Sequence, residues 1–329
     1  MQLRVLDAAA LRQALPMPVA IGAMKDAYEQ LSSGQAMVPL RGRLPVDSAD
    51  GVTLFMPALL THSREMAIKI VSVFPQNSKF DLPTIHALVV ALDPKTGQPT
   101  ALLEGATLTA IRTGAGSGVA TDLLARPDST TAAVFGSGVQ ARTQLEAICT
   151  VRPIERVRVY SPHHEHAQDF AEQMAATGPI PAVVNVADSP EAAVANADII
   201  CAATTSTSPV FPGSALPPGA HINGVGSFRP DMEEIDLVTL RRSTVFVDSR
   251  EAVLEEAGDL IGPIQRGEYD ESEIYAEIGE VVAGTAAGRT NDSQITFFKS
   301  VGVAVQDAVA AGRAVARAES LGLGQMIEL

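Results

Sequence analysis

Four features of this chain could do chemistry: one glycine-rich turn and three cations set among apolar residues. The turn lies in Thr131-Ala132-Ala133-Val134-Phe135-Gly136-Ser137-Gly138-Val139-Gln140-Ala141, a G-x-G-x-x-A directly after a strand-like run and directly before a helical one. In that setting Gly136 permits the tight turn, Gly138 lets backbone approach a pyrophosphate, and Ala141 keeps the helix close to its strand. The helix start, with Val139 and Gln140, then offers free N–H groups and a partial positive charge to the phosphates. The next strand, Val157-Arg158-Val159-Tyr160, would normally end in an acid for the adenosine ribose of NAD. Here Ser161-Pro162-His163-His164 follow, with Arg142 near the turn, and a small hydroxyl beside histidines tolerates a 2′-phosphate. The reading favours NADP(H) and leaves NAD(H) open. A looser run, Gly114-Ala115-Gly116-Ser117-Gly118, has no strand before it and reads as close helix packing.

The three cations are Arg41, Lys69 and Arg112. Arg41, with Arg43, lies between Pro39 and Pro45 in what reads as a short rigid loop. A buried arginine there would hold a carboxylate through two parallel hydrogen bonds, while the same segment also fits two solvated arginines. Lys69 interrupts the mostly apolar Met66-Ala67-Ile68-Lys69-Ile70-Val71-Ser72-Val73. Burial is costly for an ammonium unless it is paired, and it lowers the pKa into a range useful for proton transfer; a lysine that snorkels from the strand end is the other reading. Arg112 is the lone cation between Glu104 and Asp122, either a helix-surface charge or the third member of an anion pocket.

The elements that must position these residues fall into two patterns. Helices are expected at 8–15 and 18–33, strands at 52–57, 65–74, 85–93 and 99–103 in an antiparallel sheet, and a helix at 106–124. From about residue 129 strands and helices alternate: strands at 130–135, 156–160, 182–186, 198–202, 221–225 and 245–248, with helices at 140–150, 164–176 and 191–195. That alternation predicts βαβ units and a doubly wound parallel sheet. After Gly262 the chain reads as irregular and acidic, and a final Ala/Val-rich helix at 301–321 is expected to return to the first domain. The fold class is therefore α/β, a Rossmann domain over 126–299 plus a discontinuous α+β substrate and dimerisation domain from 1–125 and 300–329.

The 329 residues are long enough for two cores at roughly 100–200 residues per domain. A net charge of −14 disfavours nucleic acid or an anionic membrane as partner, although a few local arginines can still bind a small anion. Two cysteines, Cys149 and Cys201, lie in no metal-ligand spacing, so no metal is expected and a reducing compartment fits. No long apolar run opens the chain or could span a bilayer, and a cytoplasmic protein is expected.

Several segments in order carry a family resemblance. They are Pro39-Leu40-Arg41, Ala67-Ile68-Lys69, Pro83-Thr84, Thr109-Ala110-Ile111-Arg112-Thr113, the Gly136 turn and Ile222-Asn223-Gly224-Val225-Gly226-Ser227. They continue with Val247-Asp248-Ser249, Ala276-Glu277-Ile278-Gly279-Glu280 and Phe298-Lys299-Ser300-Val301-Gly302. Together they resemble the ornithine cyclodeaminase/mu-crystallin family over essentially the whole chain. The resemblance implies a homodimer, a nicotinamide cofactor, and substrate binding or activation by Arg41, Lys69 and Arg112. It also implies that Thr84, Thr113, Ser300 and the loop containing Val225 and Gly226 lie near substrate or nicotinamide. One departure matters. The cyclodeaminases carry an aspartate just after the Val-Gly pair, whereas here Phe228 holds that place and Asp231, three residues on, reads as a cap for a following helix. A phenyl ring can neither exchange protons nor pair with an ammonium. The sequence thus resembles the imine-reductase branch, which implies reduction of a small carboxylate-bearing imine to an amino acid. Cyclic ketimines such as Δ1-pyrroline-2-carboxylate, or imines of 2-oxo acids, are the expected substrates, and Arg43 with His86 would fit a second carboxylate. The alternatives are an NAD-dependent cyclodeaminase-type lyase and a non-catalytic binding protein.

Overall fold

Alternation sets the first sheet. Along Gly51–Leu60, Met66–Val73 and Ile85–Leu92 one face holds Met56, Ala58, Ala67, Lys69, Val89 and Ala91, all buried, while the other carries half-exposed Phe55, Ile68, Ile70 and Val90. A period of two is what a sheet covered on one side requires. The computed structural model describes residues 1–329 and divides into two units, Met1–Arg112 with Val303–Leu329, and Thr113–Gly302.

The first unit contains β1 (Gln2–Leu6), β2 (Ala36–Met37), β3 (Gly42–Val46), β4 (Gly51–Leu60), β5 (Met66–Val73), β6 (Ile85–Leu92) and β7 (Pro99–Glu104). Helices α1 (Ala8–Ala14) and α2 (Met17–Ser32) follow β1, and α3 (Gly105–Leu124) follows β7. β2 to β7 pair antiparallel, while β1 runs parallel to β7.

The second unit holds β8 (Thr131–Phe135), α4 (Val139–Val151), β9 (Arg156–Tyr160), α5 (His164–Met174), β10 (Val184–Val186), α6 (Pro190–Val194), β11 (Ile199–Ala202) and β12 (His221–Gly224). It continues through α7 (Leu237–Arg242), β13 (Ser243–Val247), α8 (Arg250–Glu256), α9 (Gly258–Gln265), β14 (Ile274–Glu277), α10 (Ile278–Val282) and β15 (Ile295–Lys299). All eight strands are parallel, in the order β10-β9-β8-β11-β12-β15-β13-β14. The strand order reverses between β8 and β11, and the crevice outside the carboxyl ends at that switch point is where such sheets bind ligands. β8, β11, β12 and β15 are buried along their whole length, as a sheet with apolar clusters on both faces demands.

The chain then returns to the first unit as α11 (Ala304–Leu321) and β16 (Gln325–Glu328), which pairs with β1. α11 packs on β4, β5 and β6 and against α1 and α2. Its buried row of alanines, Ala304, Ala308, Ala311, Ala314 and Ala318, brings the helix axis close to the sheet, and Gly322 closes it in the left-handed conformation at φ 66°.

Three expectations need correction. The boundary between units falls after Arg112 rather than after residue 125, because the later turns of α3 pack with the second unit: Gly114 lies against the Thr143 backbone and Thr121 Oγ accepts from Asn223 Nδ2 at 3.0 Å. The Arg41–Arg43 segment is not wholly the short rigid loop expected, since only Arg41 lies outside regular structure. Gly42–Val46 is a strand paired with β4, and Pro45 is tolerated because β3 pairs with β4 alone and has no neighbour on its other side. The chain beyond Gly262 is not irregular throughout: β15 sits inside the parallel sheet, but its five residues after a polar stretch show no readable period.

Candidate active site

Lys69 lies mid-strand on the covered face of the first sheet, 3 % exposed, where α11 presents its first turn. Its Nζ pairs with Asp307 Oδ2 at 2.7 Å. Arg112, also buried, donates from Nε to Asp307 Oδ1 at 3.2 Å and from Nη1 to Gln306 Oε1 at 2.8 Å, and Nη2 makes no hydrogen bond within the chain. Gln306 in turn accepts from the Val303 amide at 3.0 Å and donates to the Tyr28 hydroxyl at 2.8 Å. One carboxylate thus holds two cations, and a neutral amide fixes the guanidinium.

Arg41 stands one residue before β3. It is close enough to Lys69 for its charge to act on that ammonium. Burial lowers the Lys69 ammonium to about 8; Asp307 opposes that shift, while the charges of Arg112 and Arg41 add to it. Burial pushes the Asp307 carboxyl up, but Lys69 and Arg112 outweigh it and hold the group below the ordinary carboxylate range. The cluster is therefore a buried, net-positive site with a lysine whose proton can leave near neutral pH, suited to gripping a carboxylate and moving a proton at the atom beside it.

The second unit supplies the dinucleotide turn. Gly136 adopts φ 101°, and a Cβ there would meet the Ala203 carbonyl oxygen at 2.5 Å, so glycine is required both by conformation and by the close approach of the strand β11 exit. Gly138 is the N-cap of α4; no side chain caps the helix and a Cβ there would face open space. Val139 is exposed although apolar, and Gln140 Oε1 is buried without a hydrogen-bond partner. Uncapped amides, an open approach and an orphaned acceptor fit the diphosphate and ribose of a nicotinamide dinucleotide. The Gly136 amide donates to the Tyr160 carbonyl at 3.0 Å, which sets Ser161 at the rim of the turn. Thr113 offers its carbonyl to Gln144 Nε2 at 3.2 Å and is thereby tied to α4.

The residue pattern 2–320 matches the model of the "Ornithine cyclodeaminase/mu-crystallin family". This chain belongs to that family. Among curated relatives, a Δ1-pyrroline-2-carboxylate reductase of Bacillus cereus is 42 % identical over 303 residues, covering 92 % of each chain. Among solved structures, the Thermococcus litoralis Δ1-pyrroline-2-carboxylate reductase, in complex with NADH and L-proline, superposes with TM-score 0.93 at 43 % identity, covering 98 % of this chain and 99 % of that one. An archaeal alanine dehydrogenase dimer with bound NAD superposes with TM-score 0.92 at 30 % identity over the full length of both.

Within this family member the remaining sequence-predicted residues sit as follows. Val225 and Gly226 are buried just beyond β12, and Ser300, just beyond β15, donates to Asp248 Oδ2 at 2.7 Å. The same carboxylate oxygen also takes the amides of Val301 and Gly302, at 3.0 and 2.7 Å, so Asp248 shapes that loop. Thr84 is exposed at the open end of the β5–β6 pair, where its carbonyl accepts from Phe74; four residues of β5 at about 3.4 Å each separate that end from Lys69, and no hydrogen bond joins Thr84 to the cluster. His86 pairs with Ser72 and so points to the opposite face of the sheet from Lys69, which removes it from a second-carboxylate role beside Arg43. Phe228 is exposed at the end of the Gly226 loop, and Asp231 is no cap: it pairs with Arg229 at 3.0 Å on the surface. Asp307, Gln306 and Tyr28 were missed. The one signal was an Asp in an otherwise Ala/Val-rich helical run, which reads as polar surface until the helix is seen to lie on Lys69. No helix of the chain is long and apolar enough to cross a membrane.

Proposed function

We propose that this chain reduces a small imine bearing a carboxylate on the imine carbon to the corresponding amino acid, with Δ1-pyrroline-2-carboxylate as the leading substrate. The observation that carries the reading is the buried Lys69–Asp307–Arg112 cluster in a chain that also bears the Gly136 turn. The nicotinamide, when bound, supplies the hydride. Arg112, through its unused Nη2, and Arg41 take the carboxylate oxygens. Lys69 delivers the proton that the imine nitrogen needs, and Asp307 keeps that proton on Nζ at neutral pH. Holding the imine carbon in place is the larger share of the work, since positioning alone is worth about 7–11 kcal/mol. Phe228 in place of a carboxylate leaves no group at that position to accept the proton of an α-amine, which favours reduction over cyclodeamination.

Gly136, Gly138, Val139, Gln140, Ala141, Ser161, Thr113, Val225, Gly226 and Ser300 are proposed to hold the cofactor. NADP(H) is favoured because no acid stands at the end of β9, only Ser161; NAD(H) remains the alternative, since the two relatives described above were solved with NADH and NAD. A homodimer through the open face of the first sheet is proposed as well, supported by the half-exposed row Phe55, Ile70 and Leu88.

Oxidation of NADH and of NADPH should be followed with pyrroline-2-carboxylate, piperideine-2-carboxylate, iminosuccinate, and pyruvate plus ammonia or methylamine. Turnover of a cyclic ketimine, lost in Lys69→Ala with cofactor binding retained, is the expected result. Ammonia released from ornithine without added reductant would replace this reading with cyclodeamination, and cofactor binding with no turnover across the panel would leave a binding protein.

A further inference from the structure

Three of the fully buried ionisable residues of the second unit form one network outside the chemistry above: Glu234, Asp259 and Lys299. Glu234 sits in the stretch between β12 and α7. Its Oε1 accepts from the Thr204 amide at 2.6 Å and the Thr204 hydroxyl at 2.7 Å, and its Oε2 accepts from the Gly226 amide at 2.6 Å and the Ser227 amide at 3.2 Å. Thr204 follows β11 and Gly226 follows β12, so one carboxylate spans the exits of two adjacent strands. The fit is tight, because a Cβ on Gly226 would strike both the Thr204 carbonyl oxygen and the Glu234 carboxylate. The β11 exit also abuts the dinucleotide turn, since Ala203 is the residue that excludes a Cβ at Gly136.

The carboxylate is itself held. Asp259 Oδ1 accepts from the Glu234 and Ile235 amides at 2.6 and 3.1 Å, and its Oδ2 pairs with Lys299 Nζ at 2.7 Å. Lys299 ends β15 directly before Ser300, so the same network reaches a third strand exit. Three amides and a hydroxyl donate to the Glu234 oxygens, the bonding pattern of a carboxylate, and they partly offset the burial that pushes this carboxyl above its usual range.

We propose that Glu234 is a positioning residue for the cofactor, fixing the loops after β11 and β12 as one rigid wall at the carboxyl edge of the sheet, beside the Gly136 turn. This rests on the reading that a nicotinamide dinucleotide binds at that edge. Loops at strand exits are otherwise the mobile parts of such a fold, and a site whose walls are fixed in advance loses less on ordering when the cofactor arrives. Asp259 and Lys299 act through Glu234 and touch no ligand.

The test is Glu234→Gln in the full chain, with Thr204→Val as a second variant. The glutamine keeps the size of the side chain but turns one acceptor into a donor that faces an amide N–H. Dissociation constants for NADH and NADPH, read from cofactor fluorescence, should rise at least about tenfold, the equivalent of ~1.4 kcal/mol. KM for the imine should move far less, and the emission of bound NADH should shift toward that of the free cofactor. Thr204→Val, which deletes one of the four donors, should give the same pattern in weaker form and serves if the glutamine variant does not fold. Wild-type cofactor affinity in Thr204→Val and in folded Glu234→Gln overturns the inference, as does an equal loss for cofactor and imine, which would mark a general structural role. A wild-type chain that binds neither cofactor would sink the functional reading itself and this inference with it.

Discussion

Replacing Asp307 by Asn tests the proton-handling role of the buried cluster most directly. The amide keeps the shape of the side chain and an acceptor for Lys69 Nζ, but removes the only negative charge paired with that ammonium and with Arg112. Lys69 stands at about 8 with Asp307 in place. Loss of an opposite charge at contact distance moves such a group by about 1–3 units, here downward, to roughly 5–7. At pH 7 the protonated fraction then falls from about 90 % to between about 50 % and about 1 %, so turnover that needs the Lys69 proton drops by a factor of about 2 to 90. The diagnostic is the pH profile. In the wild type, kcat/KM for the imine should fall as pH rises through about 8; in Asp307→Asn that limb should move to lower pH by the same units, with partial recovery of rate toward pH 5.5. Measuring both proteins with one imine cancels the ionisation of the substrate itself. Removing one partner of a buried pair also costs stability, by about 3–5 kcal/mol at the limit, so the profile is taken where circular dichroism shows a folded chain. An alkaline limb that stays where it is in the wild type would refute the assignment of the proton to Lys69.

Ser161→Asp should lower the ratio of NADPH to NADH affinity by about tenfold or more, because a carboxylate at the end of β9 repels a 2′-phosphate and accepts from ribose hydroxyls; an unchanged ratio would count against NADP(H). His221 is fully buried between Thr296 and Asn223, and burial, with Arg289 adding to it, lowers its imidazole to about 3. Because the unfolded chain binds the proton first, stability should fall as pH drops below about 6.5, by on the order of 1 kcal/mol per unit down to about 3, and His221→Gln should flatten that slope in urea titrations. Ile70→Glu, on the open face of the first sheet, should give a folded monomer by light scattering; a dimer that survives it uses another surface.

How much was legible in advance follows from how local each feature is. The Gly136 turn could be read because a strand, a positive-φ glycine and an uncapped helix start are neighbours along eleven residues, and local sterics dictate them. The alternation of strands and helices from β8 to β11 was readable for the same reason, as was the return of α11 to the first unit, since an Ala/Val-rich helix needs an apolar face to cover. Lys69 stood out as a charge in an apolar run and Arg112 as the lone cation of a long neutral one, and the structure buries both.

What the sequence by itself determined, then, was the set of residues that could not be where they are without a reason: glycines where a Cβ would clash, and cations where water is absent. Tertiary structure alone decided which groups meet. Arg112 finds Asp307 195 residues away, and Lys299 finds Asp259 across 40, because pairing in a core is fixed by the packing of whole elements rather than by any local spacing. A carboxylate on a helix of small residues has no sequence mark that separates a solvated charge from a buried counter-ion; the sheet that the helix lies on makes that choice.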